Sequence, residues 1–167
     1  MLLLTDAAVV VKPGLAEKRI LIENAIDVAH ALGIQVPKVA LMAAVEVVNP
    51  SMAATTENAI LAKMSDRGQI RGALVDGPLS LDVATFKSAA ELKGVHSEVA
   101  GDADILVTNK IEEANILYKS LIRFADAKTG CVIVGGKKPL ILTSRVEVRT
   151  NELHSIALAA LLHSCYS

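Results

Sequence analysis

The sequence predicts an α/β fold, a three-layer α/β/α sandwich around a mostly parallel sheet. Short apolar runs alternate with helical stretches along most of the 167 residues. The runs lack clean two-residue alternation, as expected of parallel strands covered by helices on both faces. Hydrophobic residues make up 52% of the chain, enough for a substantial core, but aromatics only 2%, so Val, Ile, Leu and Ala must fill it. A chain of this size buries roughly 70% of the surface of its unfolded form.

Each element follows from its residues. "LLLTDAAVVV" reads as a strand apolar on both faces and interrupted by Asp6. From Leu15 to Leu32 the period becomes helical, with Leu15, Arg19, Ile22, Ile26 and Ala29 on one face and Gly33 placed to end the helix. "KVALMAA" is a second strand; Asn49, Pro50 and Ser51 then open a helix that runs to about Arg67. "GALVDGPLS" is a third strand, and Ser80 is placed to cap a helix reaching about Lys93. "ADILVTN" is a fourth strand, followed by a helix from about Glu112 to Ala125. "CVIVGG" and "PLILTS" are two more short strands. The final helix runs from about Asn151 to His163, capped by Thr150. Its apolar stripe is Leu153, Ile156, Ala157, Ala160 and Leu161. No internal repeat or low-complexity segment is evident.

Composition excludes several classes of function. Lys plus Arg total 17 and Asp plus Glu 18, a net charge of -1, with no basic run. That excludes a broad electrostatic footprint for nucleic acid, and the scarcity of aromatics removes stacking platforms. Cys131 and Cys165 cannot build a Cys-rich zinc site and read as buried reduced thiols of a cytoplasmic protein. His30, His96, His154 and His163 are scattered without metal-ligand spacing, so no metal is expected. The apolar N-terminus carries Asp6 and no basic lead, unlike a signal peptide, and no apolar run reaches the ~20 residues a membrane span needs. "VGGKKP" lacks the P-loop pattern, and Pro139 blocks a following helix. There is no G-x-G-x-x-G or G-x-S-x-G.

In a parallel α/β sheet, ligands bind where the strands' carboxyl ends meet. The polar residues expected there are Thr5 and Asp6; Glu46 and Asn49; Asp76, Gly77, Ser80 and Asp82; Thr108, Asn109 and Lys110, with Asn115 and Lys119 on the next helix; and Thr143, Ser144 and Arg145. The Arg145 guanidinium offers a planar fork that matches phosphate oxygens, and the Ser144 hydroxyl adds a donor. Spacing alone favours the plainer alternative, in which Ser144 starts a turn and Arg145 pairs with a surface carboxylate such as Glu147. Asp6 within an apolar run needs a partner: a hydrogen bond to a neighbouring loop or a ligand. Glu152 opens the last helix, where the macrodipole alone favours an acid.

Read together, "LLLTDAAV", "GDADILVTNKIEEANILYKSL" and "PLILTSR…SIALA" resemble the phosphate acetyl/butyryl transferase family. "GPLSLDVAT" and "VEVVNPSM" are similar to its butyryl or branched-acyl side. The resemblance covers essentially the whole chain, with the segments in the family's order, and corresponds to the later half of such an enzyme. It implies a fold like that of isocitrate and isopropylmalate dehydrogenases. Residues 1–137 would be a second α/β domain, and residues 138–167 a terminal strand and helix belonging to an absent first domain. The implied reaction transfers an acyl group between coenzyme A and inorganic phosphate, with acyl-CoA, acyl phosphate and phosphate as partners and no tightly bound cofactor. Ser144 and Arg145 match the family's Ser-Arg pair. Glu152 is the nearest counterpart of its aspartate base, across a stretch one residue longer, and Glu147 is a second candidate. Asn115, Tyr118 and Lys119 match its Asn-x-x-Tyr-Lys segment. Thr5, Asp6, Asn115 and Lys119 are taken as substrate-binding. A homodimer or larger assembly is implied. Two rivals stand beside this reading: an inactive CoA- or acyl-binding or oligomerisation fragment, and a dehydrogenase sharing the fold.

Overall fold

Strand β4 (Ile105–Val107) lies inside a four-stranded parallel sheet, between β1 (Leu3–Thr5) and β2 (Lys38–Met42), with β3 (Leu74–Leu79) beyond β2. The computed structural model describes residues 1–142 and 149–165. The chain forms two compact units, Met1–Asn115 and Ile116–Ser167, and the four-stranded sheet belongs to the first.

The sheet's apolar runs dictate its position. Ile105, Leu106 and Val107 pair with Val39, Ala40 and Leu41, and all six are buried. Because strand side chains alternate between faces, Val39, Leu41, Ile105 and Val107 project to one side. There they form one core with Ile22, Ile26 and Ala29 of α1 (Leu15–Ala31) and Leu61 of α2 (Ala53–Asp66). Helix α3 (Leu81–Thr85) packs against β2 and buries Val83 and Ala84.

The expected strand at residues 2–11 is shorter: β1 stops at Thr5, and the Asp6 carboxylate gathers the backbone that follows. Gly33, at φ +89°, ends α1 as expected. Its buried face carries Lys18 instead of Arg19, one residue off the expected stripe. Ser80 does not cap by its side chain, and the helix expected from it breaks at Phe86. Extended there (φ -126°, ψ 117°), the backbone separates α3 from α4 (Lys87–Leu92).

Helix α5 (Ile111–Ala125) begins in the first unit and runs into the second. In the second unit, β5 (Val132–Ile133) and β6 (Leu140–Ile141) form an antiparallel pair that packs with α6 (Arg149–Cys165). Thr150 lies inside α6 instead of capping it. The face α6 buries is Asn151, Ser155, Ala159 and Leu162, whereas Leu153, Ile156 and Leu161 are exposed. The pattern misled because the helix seats a polar edge. Ser155 Oγ accepts from Cys131 N at 2.9 Å and donates to Asn151 O at 2.9 Å, and Asn151 Oδ1 accepts from Thr129 N at 3.2 Å. Cys131 is half-buried instead of fully buried.

Candidate active site

Parallel strands bring the loops after β1, β4, β2 and β3 to one edge of the first unit. Asp6 occupies the first of these loops. Its Oδ1 accepts from the backbone N–H groups of Ala8 (2.9 Å) and Val9 (3.1 Å), and its Oδ2 from Val10 (2.8 Å). The carboxylate thus satisfies three donors that a chain leaving a strand would otherwise leave to water. Asn115, in α5, donates from Nδ2 to Ala7 O at 3.0 Å, and Ile111 N donates to Val11 O at 3.1 Å. Thr5 O accepts from Thr108 N at 2.9 Å and from Thr108 Oγ1 at 3.4 Å. Three of the candidate binding residues, Thr5, Asp6 and Asn115, therefore meet in one framework that ties the β1–α1 loop to the start of α5. The bond Asp6 needed is internal to its own loop.

A second framework lies where β2 and β4 end. The Lys18 ammonium, with a side chain 2% exposed, sits 2.7 Å from Glu57 Oε2 and donates to Asn109 Oδ1 at 2.8 Å. Asn109 Nδ2 donates to Met42 O at 2.7 Å, and Asn58 Nδ2 to the same carbonyl at 2.9 Å. A buried charge so placed is tolerable only with these partners.

The third cluster joins the ends of β2 and β3. Ser80 Oγ contacts a Glu46 carboxylate oxygen closely and lies 2.5 Å from Asp82 Oδ1. One hydroxyl proton can serve only one carboxylate at a time. Lys93 supplies the missing positive charge, 3.0 Å from Glu46 Oε1 and 3.2 Å from Asp82 Oδ2. The Ser80 hydrogen bond, then Lys93, holds the Glu46 carboxyl below the ordinary range, against the opposing effect of burial. Ser80 and then Lys93 likewise lower Asp82, and the bond to Glu46 leads in raising Lys93.

Other candidates lie apart from these frameworks or outside the description. Lys119 and Glu152 are exposed, on α5 and in the first turn of α6. Thr143, Ser144, Arg145 and Glu147 lie outside the described residues. Lys18, Glu57, Asn58 and Lys93 were missed. Lys18 precedes Ile22 by four residues, so a lysine on the apolar face of α1 was its one sequence signal. Among the described residues no three His, Cys, Asp or Glu side chains converge as metal ligands would, and no helix is long and apolar enough to cross a membrane.

A family model described as phosphate acetyl/butaryl transferase matches residues 1–160. The chain is 51% identical over 162 residues to a phosphate butyryltransferase of Clostridium acetobutylicum, covering 97% of this chain and 54% of that protein. It is 48% identical over 160 residues to a phosphate acetyltransferase of Thermotoga maritima, with coverages of 96% and 54%. A branched-chain phosphotransacylase from Enterococcus faecalis V583 has a similar structure, with a TM-score of 0.87 and 40% identity over 95% of this chain and 57% of that one. The chain spans about half the length of the curated relatives it matches.

Proposed function

The chain belongs to the phosphate acetyl/butaryl transferase family, and from that premise we propose that it is part of an acyltransferase interconverting acyl-CoA plus phosphate and acyl phosphate plus CoA. A short or branched acyl chain is its substrate. The 51% identity to a phosphate butyryltransferase along 97% of the chain carries this reading. In it, residues 1–137 are the second domain of an enzyme with the three-layer fold of the isocitrate and isopropylmalate dehydrogenases. Residues 138–167 return to a first domain. The enzyme is cytoplasmic, a homodimer or larger, and uses coenzyme A as a substrate with no tightly bound cofactor.

In the direction of thioester formation, a carboxylate base, Glu152 or Glu147, takes the thiol proton of coenzyme A. A free thiol is a poor nucleophile near neutral pH, so this step matters. The sulfur attacks the acyl carbon, the C–S bond forms and the C–O bond to phosphate breaks. That bond's electron pair leaves with the phosphate. Arg145 and Ser144 stabilise the charge that develops on the carbonyl oxygen and the departing phosphate. Thr5, Asp6, Asn115 and Lys119 form the substrate-binding group of this chain. Within that group Asp6 and Asn115 contribute by shaping the loop, a role their hydrogen bonds to its backbone support.

Mixing the chain with butyryl phosphate and CoA and following thioester absorbance tests the reaction. Turnover is the expected result. The half-length coverage favours a second reading, a CoA- or acyl-binding or oligomerisation fragment without turnover of its own. Measurable CoA binding with no thioester formed supports that second reading. Absence of both CoA binding and turnover overturns the assignment.

A further inference from the structure

We propose that the groove between α1 and the turn from α2 to β3 is a second anion site, built on three arginines, for a small phosphorylated molecule. It lies toward the amino edge of the first unit's parallel sheet, at the other end of the strands from the loops described above, and is independent of the acyl-transfer reading. Helix spacing makes one wall. Arg19, Glu23, Asp27 and His30 follow at four-, four- and three-residue steps along α1 and so share a stripe. The turn makes the other wall: Ile70, 2% exposed, seats it in the core, and Arg67 and Arg71 come from either side of Ile70. The stripe and these two arginines line one cavity of about 640 Å³, within the size range of small-molecule sites.

The unmet hydrogen-bond capacity of this groove is mostly donor. Arg19 Nε donates to Glu23 Oε1 at 2.9 Å, and Arg71 Nε donates to Gly68 O at 2.9 Å. Each bond holds a guanidinium by its inner nitrogen and leaves its Nη groups for a ligand. Arg67 has no hydrogen bond or ion pair among the described residues. The acceptors nearby are largely taken. Glu23 is held by Arg19, and Asp66, next to Arg67 in sequence, is held by Lys63 at 2.9 Å. Both helices end beside the groove, and open carbonyls there would repel an anion. Val28, Ala29 and His30 O instead accept from Leu32, Ile34 and Gly33 N, and Lys63, Met64 and Ser65 O accept from Arg67, Gln69 and Gly68 N. His30 Nε2 donates to Gly72 O at 2.9 Å. Three guanidiniums against the two carboxylates of Glu23 and Asp27 leave one positive charge in excess. An acceptor-rich anion complements that excess, and guanidinium forks match phosphate oxygens in pairs. Asp27, without a partner among the described residues, opposes the same ligand.

Titration of the wild-type chain with pyrophosphate, followed by amide NMR shifts, tests the site. Amides of residues 19–30 and 67–72 are expected to shift to saturation, with an apparent Kd that rises with salt. R67Q/R71Q should weaken binding by about tenfold or more. R67Q alone, which breaks no bond of the folded chain, should weaken it by about threefold. D27N should tighten binding by about two- to threefold, a gain that loss of folding does not produce. Pyrophosphate should bind more tightly than citrate; the reverse order assigns the groove to carboxylates and overturns the phosphate assignment. Absence of binding, shifts confined to the loops of the carboxyl edge, or variants that bind as the wild type does would each overturn the site. The assay with butyryl phosphate and CoA reads the acyl-transfer assignment separately from all of these outcomes.

Discussion

The Lys18 ammonium lies 2.7 Å from the Glu57 carboxylate, and the two side chains differ sharply in exposure, at 2% and 37%. This asymmetry decides what each substitution does. Lys18→Met replaces a buried charge with an apolar chain of similar length, while Glu57 retains access to water. Only the Asn109 Oδ1 contact is left unmet. Glu57→Leu strands the ammonium without a counter-charge. Urea midpoints are expected to show Lys18→Met costing about 1 kcal/mol and Glu57→Leu about 3 kcal/mol. The reverse order would contradict the view of this pair as a buried cation held by a half-wet anion.

Asp6 is expected to act on its own loop. Asp6→Ala frees the N–H groups of Ala8, Val9 and Val10, two of which water can reach. The cost is roughly 1–2 kcal/mol. Amide hydrogen exchange should rise at those three residues and remain slow in β4. Uniform acceleration across the sheet would show that Asp6 supports the whole unit instead.

Periodicity made the architecture legible; exchanges between polar groups did not announce themselves. Ile22, Ile26 and Ala29 were found because helix spacing forces them to one face. Lys18 was passed over because charge argues for solvent, and only the tertiary meeting with Glu57 and Asn109 reverses that. On α6 the same spacing rule chose the wrong face. The helix buries Asn151 and Ser155 to hold the backbone of Thr129 and Cys131, and no pattern of apolar residues encodes that. The meeting of Glu46, Ser80 and Asp82 was legible, since all follow parallel strands. Lys93, which pairs with both carboxylates, comes from a helix end far from any strand.

The Glu46–Ser80–Asp82–Lys93 cluster sets a pH window. Glu46 and Asp82 are depressed, so their contribution is present above the carboxylates' unfolded pKa. It is lost as pH falls through their folded values, below about pH 4. Lys93 is raised, so its contribution is present below its unfolded pKa and lost as pH rises through its folded value, above about pH 10. Urea midpoints of wild type and Lys93→Met should differ most between these limits and converge below the lower one. A constant difference at every pH would rule out the charge as its source.

Gly101 sits at φ +81°, and a Cβ there would lie 2.5 Å from Lys87 Cα and 2.7 Å from Lys87 N. Neither obstacle is a flexible side-chain tip, so α4 would have to move. Gly101→Ala is expected to cost about 3 kcal/mol or more, combining the strained dihedral with the clash. Gly94→Ala provides the control: it shares a positive φ of +65° but meets nothing within 4 Å. It should cost only the dihedral strain, about 1–2 kcal/mol. Equal losses at the two sites would show that contact with α4 contributes nothing.

The proposed reaction separates the two candidate bases by their pH dependence. A carboxylate that takes the coenzyme A thiol proton adds an acidic limb to the profile of kcat/KM, and its amide cannot do so. Of Glu152→Gln and Glu147→Gln, one is expected to lower kcat by about 10²–10⁴-fold and flatten that limb. The other should change kcat by less than about threefold, as expected for a surface carboxylate. Glu152 has a competing role in the first turn of α6, where an acid stabilises the helix by about 0.3–1 kcal/mol. Thermal unfolding distinguishes the two effects. A Glu152→Gln variant that loses stability but keeps its pH profile is a helix residue, and Glu147 then carries the proton. If both variants keep the acidic limb, neither glutamate is the base.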